Sequence, residues 1–435
     1  MWHPAILRSL KDFDDEVIPS APPGHLPLLD DMRKAFPRRE PFAGFDALFI
    51  QHQLGAFVPH LEAMWADGLD PGRCWFVDIP YSTNLQVRSC LWQKGYREDQ
   101  TTRIFDDPLE DYSTCQGLRV GFQLQKMANR PDPKPLVVID DGAYFVRYLN
   151  SLRMHQPEFL KQFLGARVVE QTTRGHRYLT GPGADVIRAC KLHVVSIARC
   201  HTKLQFEAPF IGAAVSRALT RAVGNERLAA LGRVGVIGYG AVGKATVTAL
   251  LKHAGQAAID VVDIDARARE EASKAGPGCR GVSQLRDDGD YELVAGCTGY
   301  ASFRLEQRRL LADDALLASG SSAAVEFNRA GFIELADQFP DDEIEILDRE
   351  ATIRQGIHAT IRIRREGGKV FSFVNAGFPV NFDGRIEVLP ARVIQATHSL
   401  LYQAACQAAL QEAPGVCPID GRPDRWIYEQ ALRHL

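Results

Sequence analysis

The stretch Arg233-Val-Gly-Val-Ile-Gly-Tyr-Gly-Ala-Val-Gly-Lys244, continued by Ala245-Thr-Val-Thr-Ala-Leu-Leu-Lys-His253, decides the fold class. A short apolar run ends in a glycine-rich turn, and a helical pattern of about three turns follows. Gly238-x-Gly240-x-x-Gly243 alone is a weak pattern. Between a strand and a helix, with the acid Asp263 ending the next strand 20 residues past Gly243, it reads as a dinucleotide turn. Gly238 permits the tight turn, Gly240 lets backbone approach a pyrophosphate, and Gly243 lets the helix pack close to the strand. These glycines and Val242 are expected to bind cofactor. Asp263 accepts hydrogen bonds from both ribose hydroxyls and repels a 2′-phosphate, so NAD is expected over NADP, although Arg267 and Arg269 lie nearby.

Outward from this turn, Ala258 to Asp265 and the charged helical stretch Ala266 to Ala275 complete a β-α-β unit. Further strands are expected at Glu292–Cys297, Ala315–Ser319 and Ile344–Leu347. Such alternation predicts a parallel sheet covered on both faces, in a Rossmann-like domain over 209–383. Upstream, Ala47–Ile50, Cys74–Asp78, Leu136–Asp141 and Arg167–Glu170 read as strands, with a helix from Ala56 to Trp65. The fold class is therefore α/β with two domains. Residues 1–208 form a substrate domain, to which the long helix Leu389 to Leu410, within 384–411, returns, and 412–435 read as a tail. Leaving one domain and returning by a long helix suits a two-lobed clam.

Composition narrows the partners. With 51 basic and 54 acidic side chains the net charge is −3, so no surplus of cations exists to neutralise a nucleic-acid backbone. No apolar run reaches the roughly 18–20 residues of a membrane span. The start, Met1-Trp2-His3-Pro4, lacks the pattern of a signal peptide, and the nine cysteines are never spaced C-x-x-C. A cytoplasmic protein acting on a small molecule, with no resident metal, is expected.

Three polar stretches outside the glycine-turn domain stand out: Asp140-Asp141-Gly142, Glu170-Gln-Thr-Thr-Arg-Gly-His-Arg177, and His201-Thr-Lys203-Leu-Gln-Phe-Glu207. The first two follow strands, where open α/β sheets place ligands. The third directly precedes the dinucleotide domain, as residues lining an interdomain cleft would. A lysine and a carboxylate four residues apart also make an ordinary helical ion pair. No H-E-x-x-H or G-x-S-x-G is present.

In order along the chain, Asp31-Met-Arg-Lys34, Ile50-Gln-His52, Ser82-Thr-Asn84, Ile139-Asp-Asp-Gly142, Glu170-Gln-Thr-Thr-Arg-Gly175, Thr202-Lys203, the glycine turn, Cys297-Thr-Gly299 and Phe373-Val-Asn-Ala-Gly377 resemble the S-adenosylhomocysteine hydrolase superfamily over roughly residues 30–410. That resemblance implies held NAD⁺ that oxidises a ribose 3′-hydroxyl, loss of the C4′ proton, departure of the 5′-thiol, addition of water, and return of the hydride. It implies that Lys203 and Glu207 assist oxidation and that Asp141 and His52 serve the later steps. It further places Thr172, Thr173, Thr298, Gly299 and Asn375 beside NAD, and it implies a homo-oligomer.

The sequence departs from the family at telling places. A ribose-gripping carboxylate becomes Gln171, one histidine gives way within Gly320-Ser-Ser-Ala-Ala324, at Ser322, and another within Val380-Asn-Phe-Asp383. Leu54 and Ala56 replace polar side chains that read adenine, Arg174 replaces a threonine, and the family's basic tail is not recognisable in Gly415–Leu435. The redox set survives while adenosine recognition is altered. The expectation is an adenosylhomocysteinase-like hydrolase whose substrate is a different nucleoside or sugar-like thioether. The alternatives are a dehydrogenase that releases NADH and a catalytically silent NAD-binding regulator.

Overall fold

The computed structural model describes residues 2–13, 16–102, 107–338 and 344–435. Its strands, numbered along the chain, are β1 (Asp46–Gln51), β2 (Cys74–Asp78), β3 (Leu136–Asp140), β4 (Arg167–Glu170), β5 (His193–Ser196), β6 (Arg233–Ile237), β7 (Ala258–Val262), β8 (Cys279–Val282), β9 (Tyr291–Gly296), β10 (Leu311–Ser319), β11 (Glu345–Leu347), β12 (Ile361–Arg364), β13 (Val370–Phe373) and β14 (Gly415–Pro418). The chain divides into two units. The first holds the described residues of Met1–Ile104, Ser113–Glu207 and Arg385–Leu435, and the second those of Phe105–Tyr112 and Ala208–Gly384.

The first unit carries a six-stranded sheet in the order β14-β5-β4-β3-β1-β2, with every neighbour parallel. Strands such as Leu136-Val-Val-Ile-Asp140 are buried along their whole length, which is why they read as unbroken apolar runs. Register aligns Ile50, Asp140, Glu170 and Ser196 across four neighbouring strands. The strand order reverses between β1 and β3, the point at which open α/β sheets open a crevice at their carboxyl ends. Helix Ala391–Leu410 packs over this sheet and buries Val393, Ala396, Leu400 and Ala404.

The second unit carries eight strands in the order β11-β12-β13-β10-β9-β6-β7-β8. From β8 to β13 the strands are parallel and follow the dinucleotide order, with the reversal between β6 and β9. Val234, Val236, Leu250, Ile259, Val261 and Leu293 form its core. Helix Ala208–Val223 lies so close to helix Ala241–His253 that a Cβ on Gly212 would overlap Ala245.

Two expectations need correction. Residues 412–435 are no tail: β14 extends the first sheet beside β5, and helix Gly421–Arg433 packs on helices Ala391–Leu410 and Pro27–Ala35. The run is short and broken by Pro414 and Pro418, so it carries no strand-length apolar signal. The second sheet is also not wholly parallel, because β11 and β12 pair antiparallel at its edge. Ile361-Arg-Ile-Arg364 alternates buried and exposed, the pattern of a half-exposed antiparallel strand. Among the described residues no helix is long and apolar enough to cross a membrane.

Candidate functional site

In the second unit the site is built from backbone. Gly238 has φ of +97°, and a Cβ there would stand 2.8 Å from the Cys297 carbonyl oxygen. A Cβ on Gly243 would overlap the Gly238 carbonyl oxygen, so the helix reaches the turn only because neither residue has a side chain. Gly240 is different. Nothing lies within 4 Å of where its Cβ would be, and that open backbone faces the start of helix Ala241–His253. Asp263 closes the turn: its Oδ2 accepts from Tyr239 N at 2.7 Å and its Oδ1 from Asp265 N at 2.9 Å. Arg269 is turned away from that carboxylate onto the carbonyls of Asp263 and Ile264. The cradle and the acid fit a dinucleotide, with its pyrophosphate at Gly240 and its ribose at Asp263.

Glu326, fully buried, organises the neighbouring strand end. It accepts from the backbone of Thr298 and Gly299, each at 2.6 Å, from the Thr298 hydroxyl at 2.9 Å, and from Ser302. Gly296 makes room for it, since a Cβ there would stand 2.7 Å from the Glu326 Cβ. Val242 lines the same turn, 3.4 Å from where a Cβ on Gly320 would be. Asn375, in a left-handed conformation at φ +53°, spends its amide on Pro379 O, Phe382 O and His358 Nδ1. It therefore holds the turn after β13.

In the first unit the site is built from side chains. His52 follows β1 and Asp141 follows β3, so the two flank the strand-order reversal, with Nε2 and Oδ2 3.3 Å apart. Ser82 donates its hydroxyl proton to Ile79 O at 2.9 Å, so its oxygen takes the His52 Nδ1 proton at 2.6 Å. That leaves Nε2 facing a carboxylate. Gln171 also donates to Asp141 Oδ2, and to Gln51 Oε1 at 3.3 Å. A glutamate at 171 would instead repel Asp141. Burial pushes the Asp141 carboxyl up, but His52, Gln171 and Lys203 outweigh it and hold the group below its ordinary range.

The adjacent acid behaves oppositely. Asp140, fully buried, accepts from Tyr144 N and Phe145 N, and burial still pushes it up to about 7. Register places Glu170 beside it, where it accepts from the backbone of Gly142, Ala143 and Thr172 and from the Thr172 hydroxyl. Burial, then Asp140, raise Glu170 as well. These two acids hold the turn together. Thr172 also caps helix Thr173–Thr180 by accepting from Gly175 N, while Thr173 is exposed.

Lys203 and Glu207 bracket a single π-helical turn, Lys203–Glu207, and form an ion pair in which both side chains are largely buried. Thr397, from the returning helix, donates to the other Glu207 oxygen at 2.8 Å. Its neighbour His398 is buried, with its ring centroid 5.2 Å from that of His60, and burial holds it well below the usual histidine range, with His60, Lys203 and His52 adding to the effect. Gln171 Oε1, Gln51 Nε2 and His398 Nδ1 are buried without a hydrogen-bond partner among the described residues. Such atoms are costly unless a ligand completes them. The lysine pair and the histidine–aspartate set thus share one neighbourhood of this unit. Among the described residues no group of three or more His, Cys, Asp or Glu side chains is gathered as a metal site.

Sequence reading missed Glu326, Glu387, Thr397 and His398. Glu387 clamps the turn after β1 by accepting from Ala56 N, and burial pushes it up to about 8. Neither its neighbours in sequence nor any spacing marks it. Only the return of 385–388 to the turn at 54–57 does.

No protein-family model matches the chain. It is 26% identical over 347 residues to uncharacterised proteins from two strains of Mycobacterium tuberculosis, matching 78% of this chain and 60% of each of those proteins. The chain thus spans less than two thirds of the length of these relatives. Among solved structures it is similar to a transhydrogenase from Sinorhizobium meliloti, at 12% identity and a TM-score of 0.35 over 84% of this chain and 92% of that one. It is also similar to a D-lactate dehydrogenase from Aquifex aeolicus complexed with NAD and lactic acid, at 12% identity and a TM-score of 0.32 over 53% and 74% of the two chains.

Proposed function

We propose that this chain binds NAD on the glycine turn of its second unit and oxidises a secondary alcohol of a small molecule. The observation that carries this reading is the turn itself, in which Gly238 and Gly243 exclude side chains while Gly240 leaves backbone open. NAD⁺, when bound, supplies a hydride acceptor. The chain supplies positions and protons. Gly240 and the start of helix Ala241–His253 hold the pyrophosphate, Asp263 takes the ribose hydroxyls, and Glu326 fixes the strand end carrying Thr298 and Gly299. Lys203 Nζ passes a proton to Glu207 as it takes one from the substrate hydroxyl, with Thr397 keeping Glu207 in place.

A second reading, favoured by the separate His52–Asp141–Gln171 set, adds an elimination of the S-adenosylhomocysteine hydrolase kind. Plain dehydrogenation needs one proton acceptor. A second one suits removal of the proton beside a new ketone, followed by loss of a thiol from a nucleoside or sugar-like thioether. Membership of that superfamily is part of this reading.

The test is to follow NADH fluorescence while the protein and NAD meet a panel of sugar alcohols, nucleosides and nucleoside thioethers. Net NADH, equal to the ketone formed, supports a dehydrogenase, whereas transient NADH with release of thiol supports the redox-neutral cycle. Lys203→Ala should lower NADH formation by about 100-fold or more while NAD affinity stays as in the wild type. Undiminished turnover in that variant overturns the assignment.

A further inference from the structure

His358 closes a short turn, Gly356–His358, just before β12. Because β12 runs antiparallel to β13, with Ile361 opposite Phe373, this turn lies at the end of β13. That is the carboxyl edge of the parallel strands, the edge that also carries the glycine turn. Contacts join the two turns along the edge. A Cβ on Gly320, which follows β10, would stand 3.4 Å from Val242 of the glycine turn. Val380 N donates to Ser319 O at 2.9 Å, and Asn375 Nδ2 donates to Pro379 O at 2.9 Å. Asn375 Oδ1 in turn meets His358 Nδ1 at 3.0 Å.

These bonds fix which nitrogen of the His358 ring carries a proton. Asn375 Nδ2 spends its protons on Pro379 O and Phe382 O, so Oδ1 is the acceptor and His358 Nδ1 the donor. A neutral imidazole held in this way keeps its lone pair on Nε2. Gly384, at φ +82°, passes that side of the ring. A Cβ there would stand 3.5 Å from both Nε2 and Cδ2, so the glycine keeps a side chain away from the lone pair. Strain marks the same place. Asn375 and Ala376 are successive non-glycine residues in the left-handed region, at φ +53° and +50°. Ala376 N donates to Ala359 O at 2.6 Å, and buried Arg329 donates to Ala376 O at 3.0 Å, so the surroundings hold the strained pair.

A dinucleotide lies across a strand-order reversal with one mononucleotide on each half of the sheet. Asp263 follows β7, so the adenosine half belongs to β6-β7-β8 and the nicotinamide half to β9-β10-β13. The carboxamide of nicotinamide is a planar group with N–H donors, and an imidazole lone pair accepts from such a donor. We propose that His358 reads the nicotinamide carboxamide, its Nε2 accepting an amide N–H while Asn375 sets the tautomer. The inference rests on the NAD reading of the glycine turn and adds the residue that orients the reactive ring.

Calorimetry of the full-length protein compares three ligands: NAD, its 3-acetylpyridine analogue, in which methyl replaces the amide nitrogen, and ADP-ribose, which lacks the ring. Wild type should bind NAD about fivefold or more tightly than the analogue. His358→Asn keeps a donor for Asn375 and loses the acceptor at Nε2, so it should abolish this preference and leave ADP-ribose affinity unchanged. His358→Gln, which places an acceptor near Nε2, should keep part of the preference. A purely structural histidine would tolerate His358→Asn. Equal affinity of wild type for NAD and the analogue overturns the inference, as does a folded His358→Asn variant that retains the preference. It is likewise overturned if His358→Asn weakens ADP-ribose as much as NAD. If wild type binds neither NAD nor ADP-ribose, the glycine-turn reading itself fails and takes the inference with it. A preference for NAD that depends on His358, without NADH from any alcohol, would remove the redox reading and keep His358 at the carboxamide.

Discussion

The two strand-order reversals of this chain are furnished in opposite ways. Between β6 and β9 the material is backbone, with Gly238, Gly240 and Gly243 placed so that main chain is the contact surface and the acids Asp263 and Glu326 hold that main chain in place. Between β1 and β3 the material is side chain, with His52, Asp141, Gln171 and Gln51 meeting from three strand ends and Lys203, Glu207 and His398 from a turn and a returning helix. A backbone site depends on what is missing and binds a group that is the same in every reaction. A side-chain site can change its chemistry one residue at a time, as Gln171 illustrates by donating to Asp141.

The sharpest way to break this comparison is to put a side chain where the second unit excludes one. Gly243→Ala forces the helix away from Gly238, and NAD affinity should fall about 100-fold or more in a calorimetric titration. Unchanged affinity would mean that the turn is packing alone. Next in size, Asp141→Asn removes the carboxylate facing His52 Nε2. NADH formation or thiol release should drop about 10²–10⁴-fold with NAD binding intact, and a parallel loss of NAD binding would erase the distinction between the two sites.

The smallest effect concerns stability. Glu387, in the side-chain-built unit, has its folded pKa raised to about 8 from 4.5. Between those values the folded chain holds a proton that the unfolded chain has released, so stability falls as pH rises through the window. Glu387→Gln should flatten that fall by on the order of a few kcal/mol, read by denaturant unfolding at about pH 5 and about pH 8. Asp140 and Glu170 leave a residual slope of the same sign. A variant as pH-dependent as wild type would show that Glu387 is ionised in both states.

The same contrast explains what could be read in the sequence. The glycine turn is contiguous, and each glycine's role follows from its place between a strand and a helix. Strands β1 to β4, β6, β7, β9 and β10 are apolar runs with clear ends. His193–Ser196 and Gly415–Pro418 were illegible because four residues with two apolar members in each form no periodic pattern, and their strand character comes from the neighbours they pair with. For the first unit's site, Asp141, Gln171, Lys203 and Glu207 lie in polar stretches that the sequence itself marks, and the resemblance adds His52 and the roles. Thr397 and Glu387 were not found, because each reaches its partner across more than 180 residues of chain. No local spacing encodes such a contact.

One feature of the first sheet bears on how the chain is made. Strand β14 leaves a ribosome more than 200 residues after β5, the strand whose edge it covers. At roughly 5–20 residues per second, β5 waits on the order of 10–50 s with its outer edge bare. An uncovered parallel edge is an invitation to wrong pairing. The second unit, almost continuous in sequence, can meanwhile mature by itself. Premature termination between Gly384 and Gly415 would therefore release a finished second unit tied to an unfinished, adhesive sheet.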